Sequence, residues 1–349
     1  MSVDLARGES VPWLVRELLA TNPVVSTGEI VQLTGLTRQA VHYHLKQLVE
    51  AGELEPLGGG RGRRYRRQLL WQKEYPTEGL MEDRVWDEMR SSVDEMSLLN
   101  RDAESIALYG VTEMLNNAID HSRSPSVRLS VGFPRPHFVF NIEDQGIGAF
   151  EHVRKSKGLE DEIAAIQEIS KGKMTTDPER HTGEGIFFTS KAVDLFIIAS
   201  NGWRWLVDNR RNDMAVGPGA VHKGTHVRLE IHPSTKRVLQ DLFSEYVNPD
   251  TYAFSKTRTV VRLFDYQVPF VSRSEAKRLA RNLDQFEEVV IDFEGVNQVG
   301  QGFTDELFRV WQRRHPSTEL IPTNMNQAVQ LMVRRALSPT ETKSDSSPR

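Results

Sequence analysis

Cysteine is absent from this chain of 349 residues. Its absence excludes disulfides, thiolate nucleophiles, zinc–cysteine sites and iron–sulfur clusters. Long hydrophobic runs are missing too: no stretch reaches the length of about 18 apolar residues that a membrane-spanning helix needs. The first residues also lack the basic-then-apolar pattern of a signal peptide. We therefore expect a cytoplasmic protein that does not bind membranes.

The residues that are present suit soluble globular domains, since 38% are hydrophobic and 26% are charged. The length predicts two or three domains. The formal net charge of −4 gives no general indication of nucleic-acid binding. The charge is unevenly distributed, however, and one segment near the N-terminus is rich in arginine.

The first 72 residues have the pattern of a small helical domain. A helix over Trp13–Leu19 starts with a proline, and a short second helix is opened by Ser26 and closed by Gly35. Thr37 then caps a third helix, Arg38–Ala51. The order of helix, short helix, glycine turn and helix is typical of a helix-turn-helix.

An arginine-rich hairpin follows the third helix. A short strand, Glu53–Leu57, leads through glycines to Arg61–Arg67, which is mostly arginine and suits phosphate contacts beside a recognition helix. This part resembles winged helix-turn-helix modules of bacterial regulators, which implies binding to double-stranded DNA as a dimer. The predicted DNA contacts are Thr37, Arg38, Gln39, His42, Tyr43, Lys46, Arg61, Arg63 and Arg64. The alternative is a small protein-binding domain with a solvated basic loop.

Residues 73–100 are interpreted as a connector. Tyr75 and Pro76 interrupt the chain, and Glu82–Leu98 then has the apolar spacing of a single helix. This predicted helix contains no histidine.

A polar stripe at helical spacing lies in Thr112–Ser122. Glu113, Asn117 and His121 fall on one face, together with Asp120. The opposite face is apolar, so we expect it to pack. The segment is therefore a helix whose polar face is a candidate site.

The segments downstream predict a sheet. Alternating apolar residues indicate a hairpin of strands near 127–131 and 138–142 with one buried face. Further strands are expected at 196–200, 203–208 and 224–232. A long polar segment, residues 149–182, is expected to be a basic lid or loop with one helix near 159–170.

Four groups of residues in this region resemble the ATP-binding domain (Bergerat or GHKL fold) of gyrase-type topoisomerases, heat-shock chaperones, histidine kinases and anti-sigma serine kinases. The N-box is Glu113-x-x-x-Asn117-Ala-x-Asp120-His121, and the glycine boxes are Asp144-x-Gly146-x-Gly148, Gly183-x-Gly185-Ile186 and Gly224-Thr225. The resemblance implies an α/β sandwich, with a mixed sheet covered by helices, and a site for ATP and Mg²⁺. Without the glycine boxes, Glu113 would be interpreted as a salt-bridged surface carboxylate.

The resemblance also implies roles for these residues. Glu113 would orient or deprotonate an attacking water or hydroxyl. Asn117 would offer its carbonyl oxygen to Mg²⁺, and Asp144 would accept the adenine amine with help from Thr225. The implied cofactor-binding residues are Asn117, Asp120, Asp144, Gly146, Gly148, Gly183, Gly185, Ile186 and Thr225.

The segments that flank these four motifs indicate which members of this family the chain resembles most. The connector lacks the phosphoacceptor histidine of histidine kinases, and no transducer domain with a lysine loop follows. The N-box, which ends in His121, is most similar to that of anti-sigma serine kinases. We interpret His121 itself as structural rather than catalytic.

Residues 251–337 alternate strands and helices, which predicts a small α/β domain. Ser274 is expected to cap a helix over Glu275–Leu283, and Val289–Phe293 to be a buried strand. The segment VVIDFEGVNQVGQGFTDEL resembles a STAS (anti-sigma antagonist) domain, and more closely a STAS-like module of uncharacterised function. Glycines 300 and 302 flank Gln301 where antagonists carry a phosphorylatable serine, which argues against phosphorylation there.

The expected fold class is therefore multidomain α+β. Residues 1–72 would form a winged helix-turn-helix domain and 101–247 a Bergerat-fold ATP-binding domain. Residues 251–337 would form a STAS-like domain, and 338–349 a disordered tail.

Three functions are compatible with this arrangement. The preferred hypothesis is a bacterial transcriptional regulator that binds ATP and DNA, in which Mg–ATP binding or slow hydrolysis switches DNA or partner binding. One alternative is an anti-sigma-like serine/threonine kinase that acts on a separate partner protein. The other is an assembly protein whose dimer is closed on DNA by ATP. A regulatory protein partner and a homodimer are further expectations.

Overall fold

The computed structural model describes residues 11–172, 185–246, 258–263, 270–281 and 283–337. The chain divides into two units, Met1–Glu245 and Tyr246–Arg349. Each unit has its own sheets and its own buried apolar residues. No helix in these ranges is both long and apolar enough to cross a membrane.

The N-terminal part of the first unit consists of three helices and a small antiparallel sheet of order β1-β3-β2. Its elements are α1 (Val11–Thr21), β1 (Val25–Ser26), α2 (Thr27–Thr34), α3 (Arg38–Glu50), β2 (Leu54–Leu57) and β3 (Arg64–Arg67). Val15, Ile30, Val41 and Leu45 are almost fully buried in one shared core. Helical spacing of apolar residues therefore predicted these helices correctly.

Local hydrogen bonds set the starts of two of these helices. Ser26 caps α2 by accepting from the Glu29 amide at 3.2 Å, and Thr37 caps α3 by accepting from the Ala40 amide at 3.2 Å. Gly35 ends α2 in the left-handed conformation, with φ 68°. These signals are local in sequence, so they could be predicted.

The rest of the first unit is built on a seven-stranded sheet of order β4-β5-β6-β10-β7-β8-β9. Its strands are β4 (Trp71–Pro76), β5 (Ser126–Gly132), β6 (Phe138–Asp144), β7 (Leu195–Ser200), β8 (Trp203–Asp208), β9 (Asp213–Pro218) and β10 (Thr225–Ile231). All neighbouring strands in this sheet are antiparallel, so the prediction of a mixed sheet is wrong. Tight turns join β7, β8 and β9 as antiparallel hairpins, and β10 enters between β6 and β7 antiparallel to both.

The helices of this part are α4 (Glu82–Ser92), α5 (Arg101–His121), α6 (Ala149–Lys157), α7 (Glu162–Ser170), α8 (Gly185–Ala192) and α9 (Leu239–Tyr246). Helices α5 and α8 pack against each other and against the sheet. At Gly110 of α5, an added methyl group would lie 3.1 Å from Leu229 Cδ1 on β10. The face of the sheet that carries Leu229 is therefore the face that α5 covers.

The connector differs from its prediction. Strand β4 crosses the expected boundary between residues 72 and 73 and pairs with β5 as an edge strand. Pro76 is its last residue, a position where an edge strand tolerates proline. The helix predicted over Glu82–Leu98 ends at Ser92, because the β-branched residue Val93 is extended, with φ −120° and ψ 95°.

The polar segment after β6 is also more regular than predicted. Its described part, up to Gly172, is mostly helical, because α6 and α7 occupy it. Asp161 caps α7 by accepting from the Ala164 amide at 2.7 Å, and apolar residues such as Ile166 bury this helix. The remainder of the predicted lid, residues 173–184, lies outside the described residues.

The second unit contains a three-stranded parallel sheet of order β11-β12-β13. Its elements are β11 (Arg258–Arg262), α10 (Arg273–Leu279), β12 (Glu288–Asp292), α11 (Gln301–Asp305), a π-helical segment (Glu306–Trp311), α12 (Gln312–Arg314), β13 (Glu319–Thr323) and α13 (Gln327–Leu337). The predicted small α/β domain is confirmed. Ser274 is not the cap of the first helix: α10 begins at Arg273, and Ser272 forms a capping box with Glu275. The predicted disordered tail lies outside the described residues.

Candidate functional site

Strands β6 and β10 present different residues to the two faces of the large sheet. In their register Asp144 pairs with Thr225, and Glu143 pairs with His226. Because side chains alternate along a strand, Asp144 and Thr225 lie on the same face as Leu229, which α5 covers. Glu143 and His226 lie on the opposite face. We call the face covered by α5 the helix face and the opposite face of the sheet the outer face.

Helix α5 covers the helix face and carries the predicted catalytic residue. Glu113 and Asn117 of this helix are half-buried, while Asp120 is exposed. An added methyl group on Gly185, the first residue of α8, would lie 2.1 Å from Glu113 Oε2. Glycine at this position therefore lets the Glu113 carboxylate approach the start of α8, where the helix dipole favours negative charge.

The loop after β6 is joined to the end of α5. The Ile147 amide donates to the Ser122 carbonyl oxygen at 2.8 Å. An added methyl group on Gly146 would lie 1.9 Å from that same oxygen, so no larger residue fits. Gly148 adopts φ 86°, in the left-handed region. The N-box helix and the first glycine box thus meet, and packing within the protein accounts for the glycines.

Asp144 is buried at the end of β6. It accepts a hydrogen bond from the Gly146 amide at 2.8 Å. Burial raises the pKa of Asp144, and hydrogen bonds from Gly146 and Thr225 oppose that shift. Thr225 in turn accepts from the Ala149 amide at 3.0 Å, at the start of α6. Asp144 and Thr225 therefore form one hydrogen-bonded group beside α5.

Asn201 is a residue of this site that sequence reasoning missed. It lies in the turn between β7 and β8, donates to the Ile147 carbonyl at 3.0 Å and accepts from the Glu151 amide at 3.0 Å. The Asn201–Gly202 pair is a signal for a hairpin turn. Nothing local in the sequence shows that its side chain fixes the Asp144–Gly148 loop.

His121 stacks on His152 of α6, with ring centroids 5.1 Å apart and planes inclined by 24°. Burial lowers the pKa of His152, and the charges of His121 and Arg123 add to this shift. Within the described ranges, no group of three or more histidine, aspartate or glutamate side chains could hold a metal ion. Ile186 is half-buried in α8, and Gly183 lies outside the described residues.

The outer face carries a polar network that joins it to the N-terminal helical part. Arg67 at the end of β3 donates to Glu143 at 2.7 Å. Glu53 accepts from Arg16 of α1 at 2.7 Å and lies 3.4 Å from Arg228 of β10. Burial alone would raise the pKa of Glu53, but the hydrogen bond from Arg16 and the nearby arginine charges lower it to about 2. Glu53 therefore stays ionised between the two parts.

A second group of contacts joins α1 to β8. Arg204 lies 3.6 Å from Glu17 and 4.2 Å from the centroid of the Trp13 ring. Glu17 also accepts from the Ala220 amide at 3.0 Å. The prediction that the β5–β6 hairpin has one buried face is incomplete, since the N-terminal part also contacts the second face of the sheet, at Glu143 of β6.

The predicted DNA-contacting residues lie away from this covered face. Those of the third helix are exposed: Thr37, Arg38, Gln39, His42, Tyr43 and Lys46. Arg63 and Arg64 are also exposed, while the side chain of Arg61 lies outside the described part. Arg66 pairs with Glu55, and Arg67 with Glu143. The arginine segment is therefore divided between a solvent side and a side that contacts protein.

A family model described as a STAS-like domain of unknown function (DUF4325) matches residues 275–330. This match confirms the predicted STAS-like resemblance of the C-terminal domain. No curated protein matches the chain. The fold and the match together define a multidomain α+β protein with a large antiparallel sheet and a STAS-like C-terminal domain.

The loop before α11 is tightly closed in this STAS-like domain. The Gly300 amide donates to the Phe270 carbonyl at 2.7 Å, and the Phe303 amide donates to the Val271 carbonyl at 3.2 Å. An added methyl group on Gly300 would lie 2.4 Å from the Val271 oxygen. A serine at position 300 would therefore require the backbone at 271 to move.

Proposed function

We propose that this protein is a DNA-binding regulator whose first unit binds Mg–ATP and adjusts its DNA affinity to nucleotide binding or slow hydrolysis. The single observation that carries the proposal is the position of Glu143 and Asp144. The side chains of these neighbouring residues of β6 lie on opposite faces of one sheet. Asp144 belongs to the proposed nucleotide site, and Glu143 is bonded to the arginine-rich strand β3.

The nucleotide half of the proposal is supported by the chemistry of the helix face. An ionised carboxylate has about four lone-pair sites, and Gly146 and Thr225 leave part of that capacity of Asp144 for an adenine amine. Asn117 would offer its amide oxygen to Mg²⁺, which when bound would offset phosphate charge. We assign to Glu113 the orientation of a water and the acceptance of its proton. These assignments fit a GHKL-type ATP-binding domain.

The DNA half is supported by the exposed side of the N-terminal part. Three helices and a small antiparallel sheet, whose last two strands follow the third helix, fit a winged helix-turn-helix domain. The exposed start of α3 offers Arg38, Gln39 and His42 to base edges, and Arg63 and Arg64 offer charge to phosphates. Contacts with the large sheet use α1, the residue before β2 and the end of β3 instead, so the domain can stay docked while it binds DNA.

The coupling between the halves runs along two strands. Arg67 ends β3, and the opposite end of β3 begins next to Arg63 in the arginine-rich hairpin. A nucleotide that repositions Asp144 would move Glu143, its neighbour on the chain. The ion pair between Arg67 and Glu143 would transmit that movement to the hairpin.

The proposal is tested by the DNA affinity of the full chain, measured by fluorescence anisotropy on labelled genomic fragments with and without Mg–ATP. We expect ATP to change the affinity by about fivefold or more, the usual lower range of allosteric coupling. Asn117→Ala should abolish this response and leave the ATP-free affinity unchanged. Replacing Arg63 and Arg64 together by alanine should weaken binding in both conditions and reduce its salt dependence.

Two results would contradict the proposal at different points. No DNA binding under any condition, with the chain folded, would remove the DNA-binding half. A DNA affinity of the wild-type chain that is the same with and without saturating ATP would contradict the coupling.

A second candidate function is favoured by the STAS-like match at residues 275–330. STAS-like domains resemble anti-sigma antagonists, and the N-box of this chain resembles that of their kinases. The alternative is therefore a serine/threonine kinase acting on a separate partner protein. Transfer of labelled phosphate from ATP to a protein in cell extract would support it, and its absence would count against it.

A further inference from the structure

A cavity of about 750 Å³ lies between the N-terminal helical part and the outer face of the large sheet. It is bordered by the end of α1, by strands β2 and β3, and by β4, β5, β6 and β10 with the loop before β10. Cavities of this volume are typical of small-molecule sites. Its border includes Arg67 and Glu143, which carry the proposed coupling, and Asp144 and Thr225, which carry the proposed adenine contact, but no role assigned above places a ligand between the N-terminal part and the outer face.

The lining of the cavity combines apolar residues with charged residues of both signs. The apolar lining is formed by Leu19, Pro23, Leu69 and Val221. The charged lining comprises four cations and three carboxylates: Arg66, Arg67, Arg128, Lys223, Glu55, Glu143 and Asp144. A ligand that contacted the apolar lining and a cation without a carboxylate partner would have an apolar body and an anionic group.

The four cations of the lining differ in whether they already form an ion pair with a carboxylate. Arg66 pairs with Glu55. Glu143 is shared, because it lies 2.7 Å from Arg67 and 3.6 Å from Arg128. Lys223 is exposed and forms no ion pair with another described residue. The charge at Lys223 is therefore open to an incoming anion.

We propose that this cavity binds a small amphipathic anion, with its carboxylate, sulfonate or phosphate at Lys223 and its apolar body against Val221 and Leu69. Such a ligand would contact both the N-terminal part and the sheet. It would therefore stabilise their docked arrangement by mass action. This site goes beyond the proposed nucleotide and DNA functions, since its occupancy requires neither ligand.

The charge requirement is tested with two fluorescent probes on the full chain. The first is 1-anilinonaphthalene-8-sulfonate, and the second is N-phenyl-1-naphthylamine, which has the same rings without the sulfonate. We expect saturable binding of the sulfonate, about tenfold tighter than the neutral probe, because one charge-assisted contact is gained. Lys223→Glu should remove this preference while changing the affinity for the neutral probe about twofold or less.

The location is tested with variants that change the cavity or leave it alone. Gln72 lines the cavity from exposed edge strand β4, where tryptophan is well tolerated. Gln72→Trp should fill part of the space and weaken both probes about fivefold or more. Lys236→Glu makes the same charge change at an exposed position outside the lining, and it should leave both affinities unchanged. Circular dichroism confirms that each variant is folded.

Four results would overturn the proposal. They are non-saturable binding, equal affinity for the two probes, affinity unaffected by both cavity variants, and displacement of the sulfonate probe by ATP. The last would assign the probe to the nucleotide site. Bound probe that persists at saturating ATP, together with the expected variant effects, supports a separate site.

Discussion

The two faces of the seven-stranded sheet are both covered, but by opposite chemistry. On the helix face, apolar residues such as Phe140, Ile142 and Leu229 are buried beneath α5. On the outer face, Glu143 and Arg228 meet arginines and glutamates of the N-terminal part. Apolar burial is non-directional and stabilises the fold broadly. Buried ion pairs add less net stability, but they require matched partners.

This difference assigns separate tasks to the two faces. The helix face forms a core that holds Glu113, Asn117 and Asp144 in place. The outer face forms a specific docking surface whose charges could also be hydrated if the two parts separated. Variants that alter one face and spare the other should therefore have separable effects.

The largest effect is expected for Glu53→Gln on the outer face. This change leaves Arg16 and Arg228 close together without their shared carboxylate, and breaking a buried pair costs about 3 kcal/mol or more. The free energy of unfolding, measured with urea, should fall by that amount.

The matched control for Glu53 is Glu55→Gln. Glu55 pairs with Arg66, and both side chains are considerably more exposed than Glu53. Exposed pairs contribute about 1 kcal/mol or less. Equal losses in the two variants would mean that burial does not distinguish these ion pairs, and the contrast between docking surface and solvent surface would fail.

The next effect compares Asp144→Asn with Glu143→Gln. Both changes replace a carboxylate by an amide, at adjacent residues on opposite faces. Asp144→Asn keeps one acceptor oxygen, which the Gly146 amide already engages, and turns a donor toward the adenine amine, so ATP affinity should fall about 100-fold, the scale for an unpaired polar group in a specific site. Glu143→Gln should leave ATP affinity within about twofold. Isothermal titration calorimetry with Mg–ATP measures both.

The role of Glu113 on the helix face can be tested by measuring ATP turnover separately from ATP binding. If Asp144→Asn bound ATP as tightly as the wild type, the helix face would not be the nucleotide site. If it lost binding as expected, Glu113→Ala should retain binding and lose turnover. Equal turnover in Glu113→Ala and wild type would discard the proton-accepting role of Glu113.

The sequence predicted the helix face far better than the outer face. The apolar side of α5 and the strand β6 both follow from patterns within about ten residues. The approach of the N-box helix to the Asp144 loop was implied by resemblance and not by pattern. STAS-like similarity was likewise visible from one continuous segment.

The outer face could not be predicted, because its information is distributed along the chain. Alternating charges on β10 indicate a solvent-facing side by the usual rule for antiparallel strands. Their partners are remote in sequence: Glu53 pairs with Arg228 and Arg67 with Glu143. Strand β4 was missed for a related reason, since pairing with β5 outweighs the breaking signal of Pro76. Side-chain pairing between distant segments leaves no local pattern.

The smallest expected effect concerns pH and again separates the faces. His226 is buried on the outer face, 3.2 Å from Asn141 Oδ1, and burial lowers its pKa to about 3. Below the ordinary histidine pKa of about 6.5, His226 binds a proton in the unfolded chain. In the folded chain it does not bind this proton until the pH falls to about 3. Stability is therefore complete above pH 6.5 and is lost as the pH falls, by about 2 kcal/mol between pH 7 and 5.

Urea unfolding at a series of pH values measures this dependence. His226→Gln keeps a donor for Asn141 and removes the titration, so its stability should fall less steeply between pH 7 and 5. His222→Gln, at an exposed position in the loop before β10, should keep the wild-type slope. Burial also lowers the pKa values of His137 and His152, so some acid sensitivity should remain in every variant. An unchanged slope in His226→Gln would mean that the outer face opens to solvent before the chain unfolds. The two faces would then differ in cooperativity as well as in chemistry.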